Sequence, residues 1–564
     1  MNAARSRRHD AVFLVVVMTL SVLPYIGRLG FYSDDWAFLG SLVTVGDHSA
    51  IGDPAVVDWA AYLRPRPLQV AYQEALFRAF GLWPLGYHVV NSAVLVAAVV
   101  LCYLALREAG VARVVAVAGP LVWGLLPTYA SDRFWFAAFG YPLAMAAGAA
   151  SVWADLRGLR AHATTRWAWK AATTAAWLVS GLGYEVALPL LAGHVAGLAW
   201  GAARGRGPAA ALRRWPRPAA WCWVGLPTAL LVGVIFFKML AGADSADRPT
   251  DLTLHAIRVV GGSLWTSTLT FGVGLPLAAR WSFGTLGGAG LAASAALGLL
   301  VAGYLYRMLA VHGDFLPGAD TAGRVAVAGA AVFTACAVLF LATGRYLNTA
   351  TGVSNRTAIG PALGAALVMV AAALWIAGLL PRGRKAAFVL VVAGVCMLAT
   401  MVTGGLGALW GESWRTQQSV LTAVGRDLPD PLSGTTVLLD NVCPFSGPAP
   451  VFESSWDTTG ALQTRYRDLG LTGDVTSANL QITPRGLETV VYGSIRVTYP
   501  YRPRLVVYDP ARGVSHRLPD RTAARRWSRQ RSLSPCPHGA LGRGVPMLSL
   551  DRRLLRFEDE FLWP

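Results

Sequence analysis

What most constrains this chain is a succession of apolar runs, each close to the ~20 residues a helix needs to cross ~30 Å of hydrocarbon. They fall at residues 11–26, 88–106, 113–130, 138–154, 170–183, 185–202, 219–241, 283–304, 325–343, 357–380 and 386–404. Backbone N–H and C=O groups find no water in lipid, so such runs fold as helices. Composition agrees: 54% of the 564 residues are hydrophobic, 14% are charged and the mean hydropathy is +0.46. A chain this apolar excludes intrinsic disorder, collagen and a disulfide-stapled secreted scaffold. It predicts an α-helical multi-pass membrane protein of about eleven spans.

The leading MNAARSRRHD is basic, and no small-residue cleavage site precedes FYSDDW. The first run therefore reads as a retained helix, not a signal peptide. The stretch 257–280 is apolar but rich in Gly, Ser and Thr, and by itself reads as either spanning or re-entrant. Loop charge decides between the two. With the N-terminus cytoplasmic and 257–280 not crossing, Arg107, Arg113, Arg157, Arg160, Arg166, Lys170, Arg204 to Arg217, Arg307, Arg324 and the PRGRK loop all fall inside. The positive-inside rule asks for this distribution, and it places the C-terminus outside. Most of the net charge of +18 is then an orientation signal that implies no nucleic-acid partner. Only three of the 49 basic residues are Lys, which suits the plasma membrane of a bacterium with a high-GC genome.

Hydropathy collapses beyond about residue 405. Residues 415–564 hold 19 Arg and 14 acidic residues, with strand-like TTVLLD, ETVVYGSIRVTY and PRLVVYD between Gly, Pro and Asp turns. Two units are expected: a membrane domain over 1–410 with a long first external loop at 28–87, and an extracytoplasmic mixed α/β domain over 411–564. Cys443 and Cys536 are the only cysteines of the tail, where an oxidising exterior permits a disulfide between them.

The first external loop opens with Phe31-Tyr32-Ser33-Asp34-Asp35-Trp36. Adjacent carboxylates at a membrane–water boundary are costly to keep. One can serve as a base while its neighbour binds a metal or donor; the plainer reading is a helix start at the interface. Arg64 and Arg66 follow in a stiff Pro-rich segment and suit bidentate phosphate contact. Gln69 to Phe80 is amphipathic and is expected to lie flat on the membrane. His88 reads as an interface histidine or a catalyst. Glu185, near the outer end of a span, should face a cavity or a partner. Lys238 is expected to snorkel, and His194 to pack between helices. Asn355-Arg356-Thr357 matches a glycosylation sequon by chance, and no P-loop, CxxC, HExxH or dinucleotide fingerprint appears.

The order DDW, RPRPL, GLWPLGYHVVN around the first two helices resembles the GT-C superfamily of integral-membrane glycosyltransferases, in particular bacterial relatives of the protein O-mannosyltransferases. Ser131 to Trp135, Gly183 to Pro189 (with Tyr184 where the family segment has Lys) and Gly344 to Leu347 are weaker matches. The resemblance covers the membrane region, residues 11–404, and leaves the tail without a counterpart. It implies an enzyme that moves a sugar from a polyprenyl-phosphate-linked donor to an extracytoplasmic glycan, lipid or protein acceptor. Asp34 would be the general base, and Asp35 would bind the acceptor or a divalent metal, Mg or Mn, whose requirement stays open. Arg64, Arg66, Arg133 and Arg345, with His88 and Glu185, would hold the donor phosphate or substrate. The competing readings are a transporter or lipid flippase with Glu185, His194 and Lys238 as a relay, and a non-catalytic envelope-assembly protein.

Overall fold

The computed structural model describes residues 3–45, 65–205, 207–215, 217–241, 275–311, 315–341, 351–380, 382–476, 480–491 and 495–531. In chain order the membrane-region helices are α1 (Ala3–Ile26), α2 (Asp34–Val45), α3 (Pro67–Phe80), α4 (Pro84–Glu108), α5 (Arg113–Leu125), α6 (Ser131–Phe134), α7 (Gly140–Arg160) and α8 (Ala163–Gly183). They continue as α9 (Leu188–Arg204), α10 (Arg217–Ala241), α11 (Leu275–Thr285), α12 (Gly287–Tyr306), α13 (Ala319–Leu341), α14 (Ile359–Gly378) and α15 (Arg384–Asp427). Among the described residues nine, namely α1, α4, α7, α9, α10 and α12 to α15, are long and apolar enough to cross a membrane. The chain is a multi-pass membrane protein. The other two expected spans are also helical, but α5 has only 13 residues, and α8 carries Arg166 and Lys170 in its first two turns.

Ion pairs mark the two ends of the bundle. At one end, buried Asp10 receives Arg113 at 2.7 Å, Tyr103 Oη at 2.7 Å and Tyr304 Oη at 2.5 Å. Glu108, beside it, receives Arg7, Arg157 and Arg160. At the other end, Lys238 of α10 meets Glu185 at 3.0 Å. α12 starts near this second end, where the neighbouring Ser282 packs on Gly405, and carries Tyr304 back to Asp10. The expectation that 257–280 does not cross the membrane falls largely outside the described residues. Of that stretch only 275–280 is described. Between the ends, Lys170 Nζ at 2.8 Å and His194 Nε2 at 2.9 Å both meet buried Asp155, which ties α7, α8 and α9 together. His194 is a packing residue.

α15 runs 44 residues without a break, so the boundary expected at 410/411 falls inside one helix. The tail built on it has strands β1 (Thr435–Leu439), β2 (Phe445–Ser446), β3 (Ala449–Pro450), β4 (Thr472–Val475), β5 (Gln481–Ile482), β6 (Gly486–Val491), β7 (Ile495–Pro500), β8 (Arg504–Asp509) and β9 (Val514–Arg517), with helices α16 (Ser455–Tyr466) and α17 (Arg521–Gln530). One sheet has the order β4-β1-β8-β9, parallel except for β9. A second is the antiparallel meander β5-β6-β7. The mixed α/β expectation holds for this region, with ETVVYGSIRVTY forming two antiparallel strands.

The tail and the first loop share a core: Phe31, Trp36 and Leu39 pack with Val424, Val437, Phe452 and Leu462. α16 crosses α2 at Gly40 and Gly460, where a Cβ on Gly40 would sit 2.9 Å from the Gly460 Cα and one on Gly460 would strike the Trp36 carbonyl. Overpacking such a contact costs about 1–3 kcal/mol. Gly460→Ala should therefore lower the apparent Tm in detergent, whereas Gly193→Ala, with open space around its Cβ, should leave it unchanged or raised. Equal melting of the two variants would show that the helices are not held by this crossing.

Candidate active site

Asp34 and Asp35 begin α2, yet their surroundings differ completely. Asp35 is 0% exposed. Its Oδ2 accepts the Tyr32 N–H at 2.9 Å and its Oδ1 the Ala137 N–H at 2.7 Å, which fastens the first loop to the turn before α7. Burial pushes Asp35 well above the usual carboxylate range against the pull of those N–H groups. Asp34 keeps part of its surface open. Burial raises its carboxyl too, and the Arg356 guanidinium and the Trp456 indole N–H offset part of that rise.

Arg356 is the centre of the constellation. It lies on the short turn Val353–Ala358 ahead of α14, donates to the Val353 carbonyl at 2.6 Å and stacks 4.9 Å from the Trp135 ring. Besides Asp34 it faces Asp132 of α6, which is 2% exposed with neither oxygen hydrogen-bonded. Burial pushes Asp132 well above the carboxylate range, while Arg356 and Arg133 draw it back. Asn355 locks this geometry: its Oδ1 accepts the Ser131 N–H at 3.1 Å and the Ser131 hydroxyl at 2.5 Å. Sequence reasoning passed over both Arg356 and Asp132. The available signal was an arginine directly before a late span, on the same side as the quoted Ser131–Trp135 cluster.

A second cluster gathers expected residues. Arg66 meets Glu185 at 3.2 Å and lies 3.9 Å over the Tyr184 ring. Lys238 Nζ donates to Glu185 at 3.0 Å and to the Pro65 carbonyl at 2.8 Å. Lys238 thus has a partner instead of snorkelling. Among the described residues, this one carboxylate faces two cations. Gln69 of α3 donates to the Ala137 carbonyl at 3.2 Å, and Ala137 in turn reaches Asp35, so this cluster and the aspartates share one framework. α3 buries Gln69, Gln73 and Glu74 as well as Val70 and Leu76; its inner face is partly polar, unlike that of a simple amphipathic strap.

Other expectations change. Arg133 is 4% exposed and points inward, giving its guanidinium to the Gly124 carbonyl and lying 5.6 Å from the Tyr129 ring, so it does not face a phosphate. His88 is 1% exposed, and its Nε2–H donates to the Gly30 carbonyl at 2.8 Å, a loop rivet with no approach for substrate. Arg64 and Arg345 lie outside the described residues. Cys443 is disulfide-bonded, while Cys536 lies outside the described residues. Asp35 was expected to serve a metal or acceptor, but its oxygens are committed to backbone N–H groups. The cation facing Asp34 and Asp132 is a guanidinium, and no group of three or more His, Cys, Asp or Glu gathers among the described residues.

Removing Arg356 leaves the Asp34 and Asp132 carboxylates uncompensated. Arg356→Met should cost about 1–3 kcal/mol, the range for a stranded, partly screened polar group. Adding Asp132→Asn should recover part of the loss, because the stranded charge goes too. Additive losses in apparent Tm would mean that the two groups do not interact.

No family model matches the chain, and no curated protein matches it. Among solved structures it is similar to ArnT from Cupriavidus metallidurans in the apo state, at 14% identity over 81% of this chain and 88% of that one, with a TM-score of 0.34. It is also similar to the same protein bound to undecaprenyl phosphate, at 13% identity over 82% and 89%, with a TM-score of 0.33. An oligosaccharyltransferase from Archaeoglobus fulgidus, tethered to an acceptor peptide, overlays at 12% identity over 81% of this chain and 63% of that one, with a TM-score of 0.43. Overlays this loose carry no weight for the chemistry, which rests on the geometry above.

Proposed function

We propose that this chain is a GT-C-type membrane glycosyltransferase that moves a sugar from a polyprenyl-phosphate-linked donor to an extracytoplasmic acceptor hydroxyl or amide. The observation that carries the reading is Asp34: a half-buried residue at the start of α2, its carboxyl raised by burial and facing the same guanidinium as a second buried carboxylate. A base set above the ordinary carboxylate range takes up a proton more readily at neutral pH than an ordinary aspartate. In the step, the acceptor atom forms a bond to the anomeric carbon while the bond from that carbon to the phosphate oxygen breaks. The acceptor proton passes to Asp34 and the electron pair leaves on the phosphate. Arg66 and Lys238, gathered at Glu185, would hold the departing phosphate electrostatically. Asp35 orients Asp34 without touching substrate. The N-terminus is read as cytoplasmic and the tail as extracytoplasmic, in a bacterial plasma membrane, on the strength of loop charge.

Purified protein in proteoliposomes, offered radiolabelled polyprenyl-phosphate sugars and envelope extract, should transfer label. Asp34→Asn should lower kcat by about 10²- to 10⁴-fold with donor KM little changed. The wild-type rate should fall on acidification through an apparent pKa above the ordinary aspartate value of 3.8, since only the ionised form accepts a proton. Full transfer by an inserted Asp34→Asn protein would sink the proposal. Arg66→Gln and Lys238→Gln should instead raise donor KM, by about tenfold each for a lost charge-assisted contact; unchanged donor KM in both would remove them from the phosphate site.

A further inference from the structure

We infer that the tail segment Phe452 to Trp456 is a positioning device for Asp34, so that the carboxylate is aimed from both halves of the chain; this rests on the reading of Asp34 as the base. Ser33, the residue immediately before Asp34, has φ +49° and is 1% exposed. A side-chain-bearing residue enters that region at a cost and stays only where its surroundings hold it. The holding group comes from the tail: the Ser33 hydroxyl donates to the carboxylate of Glu453, itself 2% exposed. The φ of Ser33 sets the direction in which α2 starts, and hence where the Asp34 side chain leaves the backbone.

Glu453 is itself fixed. Its N–H donates to Asp457 Oδ2 at 2.6 Å and the Ser454 N–H to Asp457 Oδ1 at 3.1 Å, within a capping box at the start of α16. On the other side of the segment, the Pro450 carbonyl accepts from Ser413 and from Gln417 of α15, and Gln417 in turn accepts the Trp36 indole N–H at 2.6 Å. Trp456 lies near enough to Asp34 to draw its carboxyl down against burial. Four residues further on, Gly460 presses α16 against α2 at Gly40. The segment is thus anchored at both ends and bonds to the residue before Asp34.

The test uses the full-length protein in proteoliposomes with the radiolabelled polyprenyl-phosphate sugar that the wild type turns over. Ser33→Gly keeps the backbone conformation at ease and deletes only the hydroxyl; Glu453→Ala deletes the acceptor, and Glu453→Gln keeps one. Ser33→Gly and Glu453→Ala should each lose about ten- to a hundredfold in kcat, the scale of a slightly misplaced group, with donor KM within about twofold. Glu453→Gln should stay within about threefold of wild type. Trp456→Phe removes a donor to the ionised carboxylate, so the acid limb of its rate profile should move to higher pH. Wild-type kcat in Ser33→Gly, together with an unmoved acid limb in Trp456→Phe, overturns the inference. If Glu453→Ala does not fold, those two variants still decide. An active Asp34→Asn protein would instead overturn the base reading, whereas an inactive Asp34→Asn beside wild-type tail variants overturns only the positioning.

Discussion

Among the described residues no cation stands beside the buried Asp35 carboxyl, a state a protein tolerates only when N–H groups stand in for water. Those groups are the backbone amides of Tyr32 and Ala137, one from each of two loops far apart in sequence. Satisfying one side chain therefore joins the start of α2 to the turn leading into α7. Successive residues on a helix point about 100° apart, so fixing Asp35 inward turns Asp34 outward. The adjacent pair is then one device with two parts: an anchor that solvent never meets, and a carboxylate with an open side. Phe31, ringed by Trp36, Tyr87, Phe136 and Trp414, seals the anchor from water.

Positive charge is handled differently at the two ends of the bundle. At the Asp10 end, Arg113 meets Asp10 and Arg7, Arg157 and Arg160 meet Glu108, which holds α1, α4, α5 and α7 together. At the Asp34 end, one guanidinium serves two carboxylates, and two cations share a single glutamate.

Much of this was legible in the sequence because lipid simplifies the problem. Among the described residues the eleven predicted runs are helical, and the tail's alternating runs are strands. Arg66 and Glu185 were identified, and they meet. What failed was the assignment of side-chain direction. Arg133 and Asp132 are neighbours in a four-residue helix, and no pattern over so short an element tells which one faces inward. His88 reads as polar at an interface, but a carbonyl 58 residues upstream claims its ring. Arg356 was dismissed with its sequon because its importance comes only from long-range proximity to Asp34 and Asp132. The pairing of α16 with α2 depends on two glycines 420 residues apart, which no local signal links.

The uninterrupted run of α15 has a mechanical meaning. At 1.5 Å per residue its 44 residues form a rod about 66 Å long, more than twice the thickness of the hydrocarbon. A helix adjusts to bilayer thickness by tilting, and a rod rooted in lipid magnifies that tilt at its far end, where Gln417 holds both Trp36 and Pro450. Lipid composition thus acts on this protein as a lever. A thicker or thinner membrane bears directly on the joint where the tail grips the first loop.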